Sequence, residues 1–150
     1  MKTFKIYPFG HRSKRDKSAF YTVMLVDKKT LQSNHGKECT TCQGIINCEK
    51  ALGLTHCHGG KMRIDTFGQV RGPKVNGEIG FIMLSEKDVN PEIISHECTH
   101  AMLYLVQHHT QVIYIGGQNF DLADEWMAQV QGALTGQIHE KIYLPPQDRE

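Results

Sequence analysis

No stretch of this 150-residue chain is apolar enough to span a membrane, and the start, Met1-Lys2-Thr3-Phe4-Lys5, lacks the apolar core of a signal peptide. An excess of charge of one sign is missing too. The net charge of +1 predicts no general attraction to nucleic acid or to an anionic membrane. Cysteine is sparse and odd in number, five in all, without the density of a disulfide-stapled secreted scaffold. Together these absences point to a soluble protein of a reducing cytoplasm. With 39% hydrophobic and 22% charged residues, the chain is long enough for one domain with a proper core and too short for two comfortable ones.

What the chain does carry is His96-Glu97-Cys98-Thr99-His100, within a run from Asn90 to Val106 that reads as an amphipathic helix. Asn90 is a good N-cap, and Pro91 suits the first helical position, where a missing N–H costs nothing. Histidines four apart lie one above the other on a helix face, so both imidazoles can reach one metal ion. Glu97 is turned about 100° from His96 and flanks such a metal without duplicating a ligand. This is the H-E-x-x-H arrangement of zinc metallopeptidases: two ligands, and a carboxylate poised over the metal-bound water. Nine histidines and nine glutamates in 150 residues would spell it by chance about 0.03 times. An ordinary helix with two surface or core histidines is the plain alternative. Cys98 falls on a different face from both histidines and reads as packing.

Elsewhere the pattern is that of a small sheet. Phe4 to Phe9 reads as a short strand, followed by a basic run, His11 to Lys17, best taken as a solvated loop. Phe20 to Val26 is aromatic and β-branched, a buried strand ending at Asp27-Lys28-Lys29. Lys61 to Ser85 reads as a hairpin: Met62 to Val70 is one arm, Pro73 to Gly77 the turn, with Asn76-Gly77 a strong signal, and Glu78 to Ser85 the other arm. That last strand feeds the His96 helix and could pair with an extended peptide through backbone hydrogen bonds.

Between His35 and Gly60 lies a segment rich in cysteine and histidine, an insert over about 35–60. Cys39-Thr40-Thr41-Cys42 has the gap that lets two thiolates grip one tetrahedral ion, and Cys57 with His56 or His58 could close a structural zinc site. A polar loop with a short helix over Gly44 to Leu52 and reduced thiols is equally compatible. A redox C-x-x-C is weakened by the lack of a βαβ pattern. Toward the C-terminus a long helix is expected from Asp121, with Asp121 as N-cap and Asp124 three residues on. Trp126, Val130, Ala133 and Ile138 are its core positions. Glu125, Ala128 or Gln129, and Gly132 form a stripe of one carboxylate and small residues, which could press Glu125 against the His96/His100 face.

These residues resemble the gluzincin branch of zinc metallopeptidases, in which a glutamate on a later helix completes the site. The match covers His96-Glu97-x-x-His100, the loop after it and Glu125-x-x-Ala128-Gln129. From Glu78 to about Ile138 the chain is similar to small metallopeptidase-like proteins of phage and prophage genomes. The resemblance implies a single α+β zincin-like domain over 1–150: a small twisted, mostly antiparallel sheet of three or four strands packed on the H-E-x-x-H helix and a second, C-terminal helix. It implies a catalytic zinc held by His96, His100 and Glu125, with Glu97 as general base in cleavage of a protein or peptide substrate. Tyr104, Tyr114, Tyr143 and the free histidines are candidate donors to the developing oxyanion. Val106 stands where the metzincin type has its third histidine, which excludes that type. His108, His109 and His139 remain alternative third ligands, as in the zincins that use three histidines, the SprT-like proteins among them. Asp121 and Asp124 are weaker ones. Two further functions stay open: a non-catalytic zincin-fold binder or adaptor, which would have no use for Glu97, and a nucleic-acid-associated protease, which the neutral net charge disfavours.

Overall fold

The computed structural model describes residues 1–10, 19–38, 51–57, 62–64, 70–73, 77–109 and 117–144. In chain order they form β1 (Lys2–Ile6), β2 (Ala19–Val26), α1 (Lys28–Glu38), β3 (Gly53–Cys57), β4 (Met62–Ile64), β5 (Val70–Pro73), β6 (Gly77–Ser85), α2 (Pro91–His109) and α3 (Gly117–Tyr143). No helix among these residues is long and apolar enough to cross a membrane. The architecture is α+β.

Four strands make one open, mixed sheet in the order β1-β2-β6-β3. β1 runs antiparallel to β2, and β3 antiparallel to β6, but β2 and β6 at the centre are parallel. The sheet is therefore less antiparallel than the sequence suggests. The expected hairpin is not formed either. Met62–Ile64 pairs with Val70–Pro73 in a separate two-stranded ribbon, while the arm ending at Ser85 lies between β2 and β3. Gly77 opens β6 and sits at φ 112°, where glycine is favoured because it has no Cβ; Asn76 lies outside the described residues. Because β6 is flanked on both sides, it cannot add a peptide strand. Among the described residues, Gly53–Cys57, within the expected Cys/His insert, is the strand at the end of the main sheet.

Side chains alternate across strands, and the register aligns one buried face: Ile6 with Tyr21, Val23 with Ile82, Leu25 with Leu84, and Thr55 again with Ile82. That face meets Ile94, Cys98, Ala101 and Leu105 of α2, and Val130, Leu134 and Ile138 of α3, in a single core. The stripe on α2 recurs at the spacing that an amphipathic helix requires. Two long-range contacts lock the layers. The fully buried Tyr21 hydroxyl donates to the Ala101 carbonyl at 2.9 Å. The Gln137 side-chain amide continues β1 from outside it, donating to the Tyr7 carbonyl and accepting from the Tyr7 N–H, both at 2.8 Å.

α1, unforeseen from the sequence, starts where the second strand was expected to end. Asp27 caps it, accepting from the Thr30 N–H at 2.8 Å and from the Thr30 hydroxyl at 2.9 Å. Both bonds hold the Asp27 carboxyl below its ordinary value. α1 contacts β3 and β6, and Val26 and Leu54 are buried outside the main core on the opposite side of the sheet by strand alternation. α3 begins at Gly117, a full turn before Asp121, so Asp121 and Asp124 are not its cap and capping-box acid. Val130 and Ile138 are buried as expected, joined by Leu134, whereas Ala133 is half-buried.

α2 begins as expected. Asn90 Oδ1 accepts from the Ile93 N–H at 2.9 Å, and the Asn90 carbonyl takes the first helical bond from Ile94 at 3.0 Å. Asn90→Ala strips that cap and is expected to lower stability by about 1 kcal/mol, read as a lower urea midpoint with an unchanged slope.

Candidate metal centre

Helical spacing brings His96 and His100 together on α2, with ring centroids 4.8 Å apart and planes at 75°. Their Nε2 atoms are separated by 3.2 Å. Two imidazole nitrogens at about 2.0–2.1 Å from one tetrahedral zinc lie about 3.3–3.4 Å from each other, so the pair fits one edge of such a site. His96 is exposed and His100 half-buried. Burial, and then the neighbouring His96, hold the His100 imidazole below its ordinary value of 6.5. The neutral form is the one that ligates metals. One turn further, the Tyr104 ring stacks on His100 at 5.7 Å with the planes at 24°.

Glu97 enters the interface between α2 and β3 and is only 5% exposed. Its Oε2 accepts a 2.6 Å hydrogen bond from the Thr55 hydroxyl, which also lies 3.1 Å from the Glu97 carbonyl oxygen. Where the side chain passes over β3 the strand has a glycine. A Cβ on Gly53 would stand 2.6 Å from Glu97 Cγ and Oε1 and 2.7 Å from Cδ, closer than real side chains approach. Desolvation pushes the Glu97 carboxyl above its ordinary 4.5, outweighing the lowering effects of Thr55 and His96. Cys98 is fully buried core, as its helix face suggested. Burial pushes its thiol up to about 12, so it stays protonated and inert.

No protein-family model matches this chain, and neither does a curated protein or a solved structure.

Among the described residues, no third His, Cys, Asp or Glu joins the histidine pair in a group that could hold a metal. Glu125 is exposed on α3, its Oε1 accepting from Gln129 Nε2 at 3.1 Å. The stripe expected to bring it in does not pack. Ala128, Gln129 and Gly132 are exposed, and a Cβ on Gly132 would meet nothing within 4 Å. α3 turns Val130, Leu134 and Ile138 inward instead, because that larger apolar stripe buries more surface. His139 meets Tyr143 at 5.3 Å near the end of α3, and Tyr143 is largely exposed. His108 and His109 close α2, Asp121 and Asp124 lie within α3, and Cys57 ends β3. Cys39, Cys42, His58 and Tyr114 lie outside the described residues.

Two residues of this site escaped the sequence reading: Gly53 and Thr55. Gly-Leu-Thr-His-Cys is short and holds a single β-branched residue, so it gives little strand signal, and its cysteine and histidine suggest a metal first.

A carboxyl whose folded pKa is raised contributes stability that is complete below its unfolded pKa and is lost as pH rises through the folded one. Glu97→Gln removes that dependence. In metal-free protein the variant is expected to exceed the wild type in stability at about pH 8, with the gap closing toward about pH 4. Urea unfolding at both pH values measures it, and a gap that widens toward acid would contradict burial as the dominant influence on Glu97.

Proposed function

We propose that this protein is a zinc-dependent hydrolase, a metallopeptidase that cleaves a peptide bond with Glu97 as general base. The observation that carries it is the convergence of His96 and His100 at 3.2 Å with a buried, high-pKa carboxyl on the residue between them. An ordinary surface helix has no reason to bury a glutamate beside two converging imidazoles, and burying it costs stability unless something is gained. A bound zinc supplies a Lewis acid that polarises a carbonyl and makes water a nucleophile near neutral pH.

The chain's own residues supply the rest. His96 and His100 donate Nε2, and His100 is biased toward its neutral form before any metal arrives. Glu97 accepts a proton at its carboxylate and returns it to the leaving amine; a carboxyl raised above its ordinary pKa is the better base near neutrality. Tyr104, stacked on His100, is favoured as the oxyanion donor over Tyr143, whose ring meets His139 instead. Glu125 does not join the histidine pair among the described residues; to serve as the third ligand that the resemblance implies, it would have to exchange its bond from Gln129 for the metal. A peptide substrate is supported by β3, which ends the order of strands on the side where Glu97 sits and can lend an extended chain its backbone groups.

Elemental analysis of protein purified without chelator is expected to find one zinc per chain, or two if the Cys39/Cys42 segment also binds. Glu125→Ala should loosen the catalytic ion in competition with a chelator. Glu97→Gln should retain it and lose hydrolysis of a denatured protein substrate by about a hundredfold or more. Protein free of zinc, or a Glu97→Gln variant as active as the wild type, would refute the proposal.

A further inference from the structure

We infer that Gly53 and Thr55 of the edge strand are positioning residues for Glu97, so that β3, and not the helix bearing it, sets where the carboxylate lies. The two positions point to the same side of β3, toward α2, and each acts on a different part of the side chain. Thr55 has a single hydroxyl hydrogen and gives it to Oε2 at 2.6 Å, which leaves Oε1 as the carboxylate oxygen free of that bond. Gly53 leaves open the volume that Cγ, Cδ and Oε1 occupy. The three atoms nearest a methyl group there all belong to the flexible Glu97 side chain, so Gly53→Ala is expected to displace the carboxylate. Helix geometry places the Glu97 Cα beside the histidines, but a glutamate has three rotatable bonds, and only contacts beyond the helix narrow them. Displacement of a reacting group by about 1 Å can lower a rate about a hundredfold.

The kinetic consequence rests on the proposed role of Glu97 as base; the seat itself does not, and the two are tested separately. A thermal-unfolding cycle on metal-free protein decides the seat. Gly53→Ala is expected to lower the midpoint by about 3 °C or more in the wild type and to have little effect in the Glu97→Ala background, where the volume is vacant. An equal loss in both backgrounds overturns the inference, whether or not the protein is a peptidase. For the role, Thr55→Val and Gly53→Ala should each lower kcat by about a hundredfold, with KM and zinc content held within about threefold, and Thr55→Ser should restore most of the rate. Unchanged kcat in both variants of an active enzyme overturns the positioning role. A wild type that binds zinc but has no hydrolytic activity refutes the proposed function, and the unfolding cycle still decides the seat.

Discussion

The burial of one carboxyl group organises this molecule. Glu97 lies between the helix that presents His96 and His100 and the strand that closes the sheet, satisfied by Thr55 and accommodated by Gly53. A buried ionisable group without partners would cost more than a small domain can spare. A single neutral hydroxyl is a modest partner, which is why the carboxyl stays above its ordinary pKa. The arrangement thus holds a proton-accepting group where an apolar side chain would have given a more stable protein. That choice is what supports the proposed catalytic role of Glu97.

The rest of the fold keeps that interface fixed. Among the described residues β3 pairs with β6, and β6 in turn with β2, whose Tyr21 ties the sheet to the Ala101 carbonyl on α2. α2 is therefore anchored by its cap at Asn90, by its apolar stripe in the middle and by Tyr21 one residue after the second histidine. Gln137 links α3 to the far edge of the sheet by imitating a strand. The histidines need none of this to approach each other, since four-residue spacing suffices. Glu97 needs all of it, because its environment is built by a strand more than forty positions away.

Local features were legible in the sequence for the same reason. The amphipathic α2 helix, its Asn90 cap and the packing role of Cys98 all follow from interactions within a few residues, and the structure bears them out. β2 was legible as a strand by composition. What was not legible is pairing. Parallel alignment of β2 with β6 joins segments with the whole of α1 and β3 between them, and no local pattern distinguishes it from the hairpin that Asn76-Gly77 suggested. α1 was missed because its sequence is polar nearly throughout, with Leu31 its buried anchor, and the Asp27–Thr30 cap was read only as the end of a strand. The small residues after Glu125 permit close approach without driving it, so the expectation that Glu125 turns inward is not met.

That contrast bears on how far a motif can be trusted. H-E-x-x-H specifies two ligands through helix periodicity alone, so any stable helix spelling it will converge two imidazoles. Convergence by itself is then weak evidence. The burial of the intervening glutamate is stronger, because the spelling does not entail it: a helix one strand farther from the sheet would leave that residue in water, with an ordinary pKa. Here a neighbouring strand has a glycine at the position of contact and a hydroxyl two residues on. Both accommodate the carboxylate, one by leaving room for it and the other by donating to it. The case for chemistry at this site therefore rests less on the histidines than on the strand opposite them.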